Sequence, residues 1–88
     1  MQDRKQLFKE WAERNQVQIF NTLKEVNPEA EQDLKVGDKV NFTNEAGIVF
    51  GPSEVLGFCK PENGRCVFIS KSSWWFPNRP EMHTKVEP

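Results

Sequence analysis

The sequence predicts an α+β domain, with an N-terminal helical segment packed on a small antiparallel β-barrel of about five strands. Three observations carry this. Apolar residues recur at helical spacing only in the first third of the chain. From Leu34 onward short runs rich in Val, Ile and Phe alternate with Gly, Pro and Asn turns. The chain has only 88 residues, enough for one domain with a thin core.

The helix comes first. Asp3 is a candidate N-cap, with Gln6 three residues on as in a capping box. Leu7, Phe8, Trp11 and Ala12 form one apolar stripe, while Arg4, Lys5, Lys9, Glu10, Glu13 and Arg14 fall on other sides. The spacing gives about three turns, ending or bending near Asn15. With no other apolar surface in view for this stripe, it is expected to cover the barrel. Trp11→Ala is then expected to cost roughly 3–5 kcal/mol if the ring is buried.

Residues 16–26 support two readings. Ile19, Phe20, Leu23 and Val26 fit a second helix, which is favoured; Val17 and Ile19 alternate as in a short strand. Asn27-Pro28 ends either one, because the residue before proline avoids the helical region. The whole chain is read as one domain: a helical segment over 1–26, a polar connector over 27–33, and the barrel over 34–88.

Within the barrel region, Val36-Gly37-Asp38 sets a turn and Lys39-Val40-Asn41-Phe42-Thr43 alternates as a strand. Asn44-Glu45-Ala46-Gly47 is the next turn. Ile48-Val49-Phe50 follows as a strand, broken by Gly51-Pro52-Ser53, and residues 54–59 form the next. Residues 65–70 pair back as a hairpin across a four-residue loop, Pro61-Glu62-Asn63-Gly64. Lys60 and Arg65 then close the loop, and Cys59 stands opposite Cys66. Ser73-Trp74-Trp75-Phe76 reads as a strand stopped by Pro77, and Thr84-Lys85-Val86 as the strand that completes the sheet. A strongly bent barrel is the economical way to bury so many short strands, because it removes exposed edges.

Leu34-Lys35-Val36-Gly37-Asp38-Lys39-Val40 resembles the opening of many SH3-like barrels, where such a segment leads into the first strand. The later glycine and the closing Pro80-Glu81-Met82-His83-Thr84-Lys85-Val86 are similar to that superfamily too. The resemblance covers residues 34–88 and implies an SH3-like barrel. That superfamily holds peptide binders, RNA and DNA binders and enzyme subunits, so it implies no single function. In style the chain is also similar to short proteins of bacterial phages and plasmids.

Composition excludes several classes. Hydrophobic residues make up 36% and charged residues 28%, and three Trp with seven Phe leave enough to bury for a folded core. Net charge is −1, without the basic bias expected of a phosphate-backbone binder. There is no apolar run of membrane-spanning length. Met1-Gln2-Asp3-Arg4-Lys5 is not followed by one resembling a signal peptide, so a cytoplasmic setting is expected. Cys59 and Cys66 are too few for a disulfide scaffold and are expected as free thiols. With the single His83 they match no standard zinc spacing, and no metal or other cofactor is expected. A Cys–His pair can be drawn on paper, but no glycine-rich elbow or helix start adjoins either cysteine to activate it. No P-loop, dinucleotide fingerprint or His-Glu-x-x-His motif is present. A non-catalytic chain is therefore expected.

The aromatic run carries the functional expectation. In a strand Trp75 points away from Trp74 and Phe76, and a small barrel cannot easily hold both sets inside. The candidate binding residues are Trp75, Phe76, Arg79 and Lys71, an aromatic centre with a cationic rim. The expected partner is another protein. Nucleic acid is the alternative, since exposed Trp beside Lys60, Arg65, Lys71, Arg79 and Lys85 would offer stacking and charge. Glu54, Glu62, Glu81 and Glu87 interleave among those cations. The paired tyrosines of proline-rich-peptide grooves have no counterpart, as the chain lacks Tyr altogether.

Overall fold

The computed structural model describes residues 4–70 and 74–86. Helix α1 spans Arg4–Arg14; Asp3, the expected N-cap, lies outside the described residues. The helix stops at Asn15 through local chemistry. Gln16 takes a left-handed backbone (φ 56°), its N–H reaches Glu13 O at 3.3 Å, and Val17 N–H reaches Ala12 O at 2.9 Å. These two bonds satisfy carbonyls that the last turn would leave bare. The apolar stripe faces inward, with Phe8 and Ala12 buried and Leu7 and Trp11 half-buried. Phe8 packs with Leu56 and Phe68 in a secondary core edged by Trp11, Ile19 and Trp74.

Over 16–26 the favoured second helix is cut to one turn, α2, Leu23–Val26. Before it the chain is extended. Phe20 exchanges both backbone hydrogen bonds with Phe58, at 2.7 and 3.1 Å, and Thr22 bridges Lys35. Unpaired backbone on a long strand outcompetes the weak helical preference of Val17, Ile19 and Phe20. The Glu25 carboxylate accepts from the Asn21 and Thr22 N–H groups at 3.0 and 3.2 Å and so starts α2. The polar connector is also tied down: Gln32 Nε2 donates to His83 O at 2.7 Å.

Strand β1, Lys39–Thr43, is where the alternation placed it, after a turn with Gly37 at φ 96°. The Asn44 turn closes as expected, its Oδ1 accepting from Ala46 and Ile48 N–H, both at 2.9 Å. Gly51-Pro52-Ser53 does not break the next element. Strand β2 is continuous over Val49–Glu62. Its register with β1 passes from Phe42↔Phe50 to Val40↔Ser53, so Gly51 and Pro52 together face Asn41 in a bulge. A bulge leaves an extra residue outside the ladder, where proline needs no donor. A Cβ at Gly51 would run into the Asn41 side chain. Pro61 likewise falls in the irregular stretch between Phe58 and Glu62.

The loop to β3, Arg65–Ile69, is shorter than expected. Asn63 and Gly64 both have positive φ, 55° and 79°, and Glu62 pairs with Arg65. This is a two-residue hairpin turn whose twist matches the strands, in place of a four-residue loop closed by Lys60. The pair Phe58↔Val67 makes Cys59 and Cys66 the next residues along their two strands. Both thiols are free. Burial, with Cys59 and Glu81 nearby, pushes the Cys66 thiol up to about 11; burial and Glu62 also raise Cys59.

The expected strand over 73–76 is not one in its described part. Trp74 and Trp75 form a turn and Phe76 a bend. The two indoles meet edge to face at 5.4 Å, a contact that neighbours on a strand cannot make because they point to opposite faces. Pairing is reduced to a single bridge, Val67↔Asn78. A short 3-10 helix, Pro80–Met82, leads into β4, His83–Lys85, which pairs with β1.

The architecture is α+β, and its antiparallel sheet runs β3-β2-β1-β4. Among the described residues there are four strands rather than about five, and the sheet is not closed into a barrel. The end strands β3 and β4 do not pair with each other, and strand β2 pairs with β1 along its first part and with β3 along its second. The main core, led by Leu23, Leu34, Val40, Val55, Phe58 and Val67, lies beneath this strand. Among the described residues, no helix is long and apolar enough to cross a membrane.

Candidate functional site

The surface after β3 is built by three backbone hydrogen bonds. Asn78 N–H donates to Val67 O at 2.7 Å, and Cys66 and Val67 N–H both reach Asn78 O at 3.0 Å. They pin the loop that presents the aromatic run. Trp74 turns inward and edges the secondary core. Trp75 and Phe76 turn outward, each 50% exposed. Strand alternation sets Phe76 with Trp74, but in the turn Phe76 is exposed as Trp75 is.

Of the expected site residues, Trp75, Phe76 and Arg79 lie on this one exposed segment. Lys71 lies outside the described residues. The cation set against the rings is one that sequence reasoning counted only among scattered basic residues. The Arg65 guanidinium lies 5.4 Å from the centre of the Phe76 ring, within cation–π range. The signal was the hairpin itself, since Asn63-Gly64 fixes Arg65 at the start of β3.

The other basic residues divide differently. Lys5 and Lys39 bracket Glu54 at 2.5 and 3.2 Å, and Lys85 pairs with Asp38 at 3.5 Å. The Glu54 carboxyl is held below the usual range, chiefly by Lys5 and then by Lys39, against its own burial. Lys85 thus has an acidic partner of its own.

A second apolar surface escaped the sequence reading. Ile48, Val49 and Phe50 are all exposed at the base of the β1–β2 turn. Phe50 lies opposite Phe42, which lies opposite His83, so three rings cross the sheet in a row, with centroids 6.4 and 5.5 Å apart. The unbroken apolar triplet, lacking an alternating polar face, was the available signal.

His83 closes that row and is 2% exposed. Its Nδ1 lies 3.3 Å from Pro80 O, so Nδ1 carries the proton and donates. Nε2 is buried without a partner. Protonating it would create a buried donor with nothing to receive it, and burial accordingly lowers the His83 pKa. The unfolded chain takes up a proton near the ordinary histidine value of about 6.5 and the folded chain only at lower pH. Stability therefore falls as pH drops through about 6.5, with a slope of at most ~1.4 kcal/mol per unit, until the folded-state value is passed. Glu54 loses its contribution only lower, below the ordinary carboxylate range. Urea midpoints measured across pH 5–7 test this. The slope should vanish in His83→Phe, and a slope unchanged by that substitution would assign it elsewhere.

Among the described residues, no group of three His, Cys, Asp or Glu side chains is placed to hold a metal ion. No family model, curated protein or solved structure matches the chain.

Proposed function

We propose that this chain is a non-catalytic protein-interaction module that binds through Trp75 and Phe76. The observation that supports the reading is the outward placement of two adjacent large rings on a loop anchored to β3 by backbone hydrogen bonds. Rigid, half-exposed aromatics cost little to immobilise and are enriched where binding energy concentrates. The SH3-like resemblance belongs to the same proposal. The segment before β1 turns at Gly37, and the final strand returns to pair with β1. A reducing, cytoplasmic setting goes with it, as two cysteines are too few for a scaffold.

Trp75→Ala is expected to leave the urea midpoint nearly unchanged, because half the ring is already in water, and to weaken partner binding by about 2 kcal/mol or more. The measurement is capture from an extract by the wild-type and variant chains side by side, with nuclease in both. Identical protein sets at identical yield would remove Trp75 from the binding surface. Acrylamide quenching supplies a check without any partner, as quenching should drop sharply in Trp75→Phe.

A further inference from the structure

We infer that the Trp75–Phe76 surface takes an acidic peptide segment, one apolar side chain against the rings and its carboxylates on Arg65 and Arg79. The inference rests on reading that surface as a docking site.

Several surface cations have no carboxylate partner among the described residues, Arg65 and Arg79 among them. Lys5, Lys39 and Lys85 each have a carboxylate within ion-pair distance. Arg65 and Arg79 have none among the described residues, although Glu62 stands across the hairpin from Arg65 and Glu81 is two residues beyond Arg79. Arg65 is also oriented. Its guanidinium lies against the Phe76 ring, which holds a long side chain in place and leaves the N–H groups along its rim to donate. A planar fork held this way suits a carboxylate, which accepts two parallel N–H bonds. Arg79 follows directly on Asn78, whose backbone is fixed to Val67, so the Arg79 backbone starts from an anchored position.

The same geometry argues against a nucleic-acid strand. A phosphate backbone needs a continuous cationic track, whereas only two arginines belong to this hairpin and loop, and Lys85 is paired with Asp38. A guanidinium on the Phe76 ring, with Arg79 three residues on in the same loop, matches one or two carboxylates flanking an apolar residue.

The test uses the full chain labelled with 15N, reading the tryptophan indole N–H signals, with that of Trp75 identified by its loss in Trp75→Phe. Three probes are titrated to millimolar concentration: acetyl-Asp-Glu-Phe-Glu-Asp-amide, the same peptide with Asn and Gln in place of the acids, and a short oligothymidylate. The acidic peptide is expected to move the Trp75 indole, and to bind more weakly as salt is raised. Arg79→Gln, which leaves the Arg65–Phe76 contact intact, should weaken it roughly fivefold or more. Arg65→Gln should do the same while signals of the Phe58 and Val67 core stay in place. Equal binding of the neutral peptide would overturn the acidic class while leaving an aromatic docking surface standing. Tighter binding of the oligothymidylate would replace the peptide with nucleic acid. A Trp75 indole unmoved by every probe would also overturn the inference; extract capture by wild-type and Trp75→Ala chains then decides separately whether the surface docks a protein at all.

Discussion

Phe8→Ala is expected to cost about 3–5 kcal/mol of folding stability. The residue is 4% exposed and its ring is one of three in mutual contact, 4.9 Å from Phe68 and 6.0 Å from Trp11, which are 5.8 Å from each other. Its loss forfeits the burial of that apolar area and leaves a void that α1 and β2 cannot easily close, since Phe68 is held in the ladder opposite Gly57. The sequence reading assigned a loss of this size to Trp11. The structure transfers it to Phe8, because Trp11 is only half-buried and keeps part of its ring in water. Trp11→Ala should therefore cost clearly less. Urea unfolding of both variants, followed by circular dichroism so that the lost indole does not confound the signal, ranks them. If Trp11→Ala proves the more damaging, Phe8 is not what holds α1 to the sheet.

Gly57→Ala is expected to destabilise the fold by about 1–3 kcal/mol, against the usual direction for a strand. Replacing glycine by alanine ordinarily stabilises by restricting the unfolded chain, and the Gly57 backbone is not left-handed. The obstacle is space. A Cβ there would lie 2.5 Å from Ile19 Cγ2 and 3.1 Å from Phe8 Cε2. Neither atom can swing aside cheaply. The methyl is attached directly to the Ile19 Cβ, and the Phe8 ring is held against Phe68. Because the clash is with a named methyl, Ile19→Ala should relieve part of it. The double variant should lose less than the two single losses added together. Strict additivity would mean that Gly57 is not the point where the 17–19 segment and α1 close on β2.

Much of the molecule is determined by chemistry that acts within a few residues. The stripe from Leu7 to Ala12 makes α1, and the alternation in 39–43 makes β1. Asn44 and Gly47 make their turn, and the short C-terminal strand lies within one residue of its expected place. In each case propensity and side-chain hydrogen bonds point to the same answer, so context had nothing to reverse. Asn63-Gly64 was local too. Its strong turn signal was outweighed in the reading by Pro61, which the strand accommodates in an irregular stretch. That one large ring of the 74–76 run would lie outside was also legible, as three large rings in sequence exceed what a thin core can hold; which ring was not.

Tertiary structure alone decided the rest, because those outcomes depend on backbone far away in sequence. Residues 17–22 became extended when Phe20 found the free edge of β2 at Phe58. Gly51-Pro52 stayed inside a strand because Asn41 on β1 sits opposite a bulge there. The aromatic run became a turn once Asn78 paired with Val67, and that pairing brought Phe76 to the guanidinium of Arg65. The sheet stayed open because β3 and β4, its two ends, do not pair with each other. Side-chain pattern sets which segments can be helix or strand, but register, edges and the neighbours of an exposed ring are set only when distant backbone groups satisfy one another's hydrogen bonds.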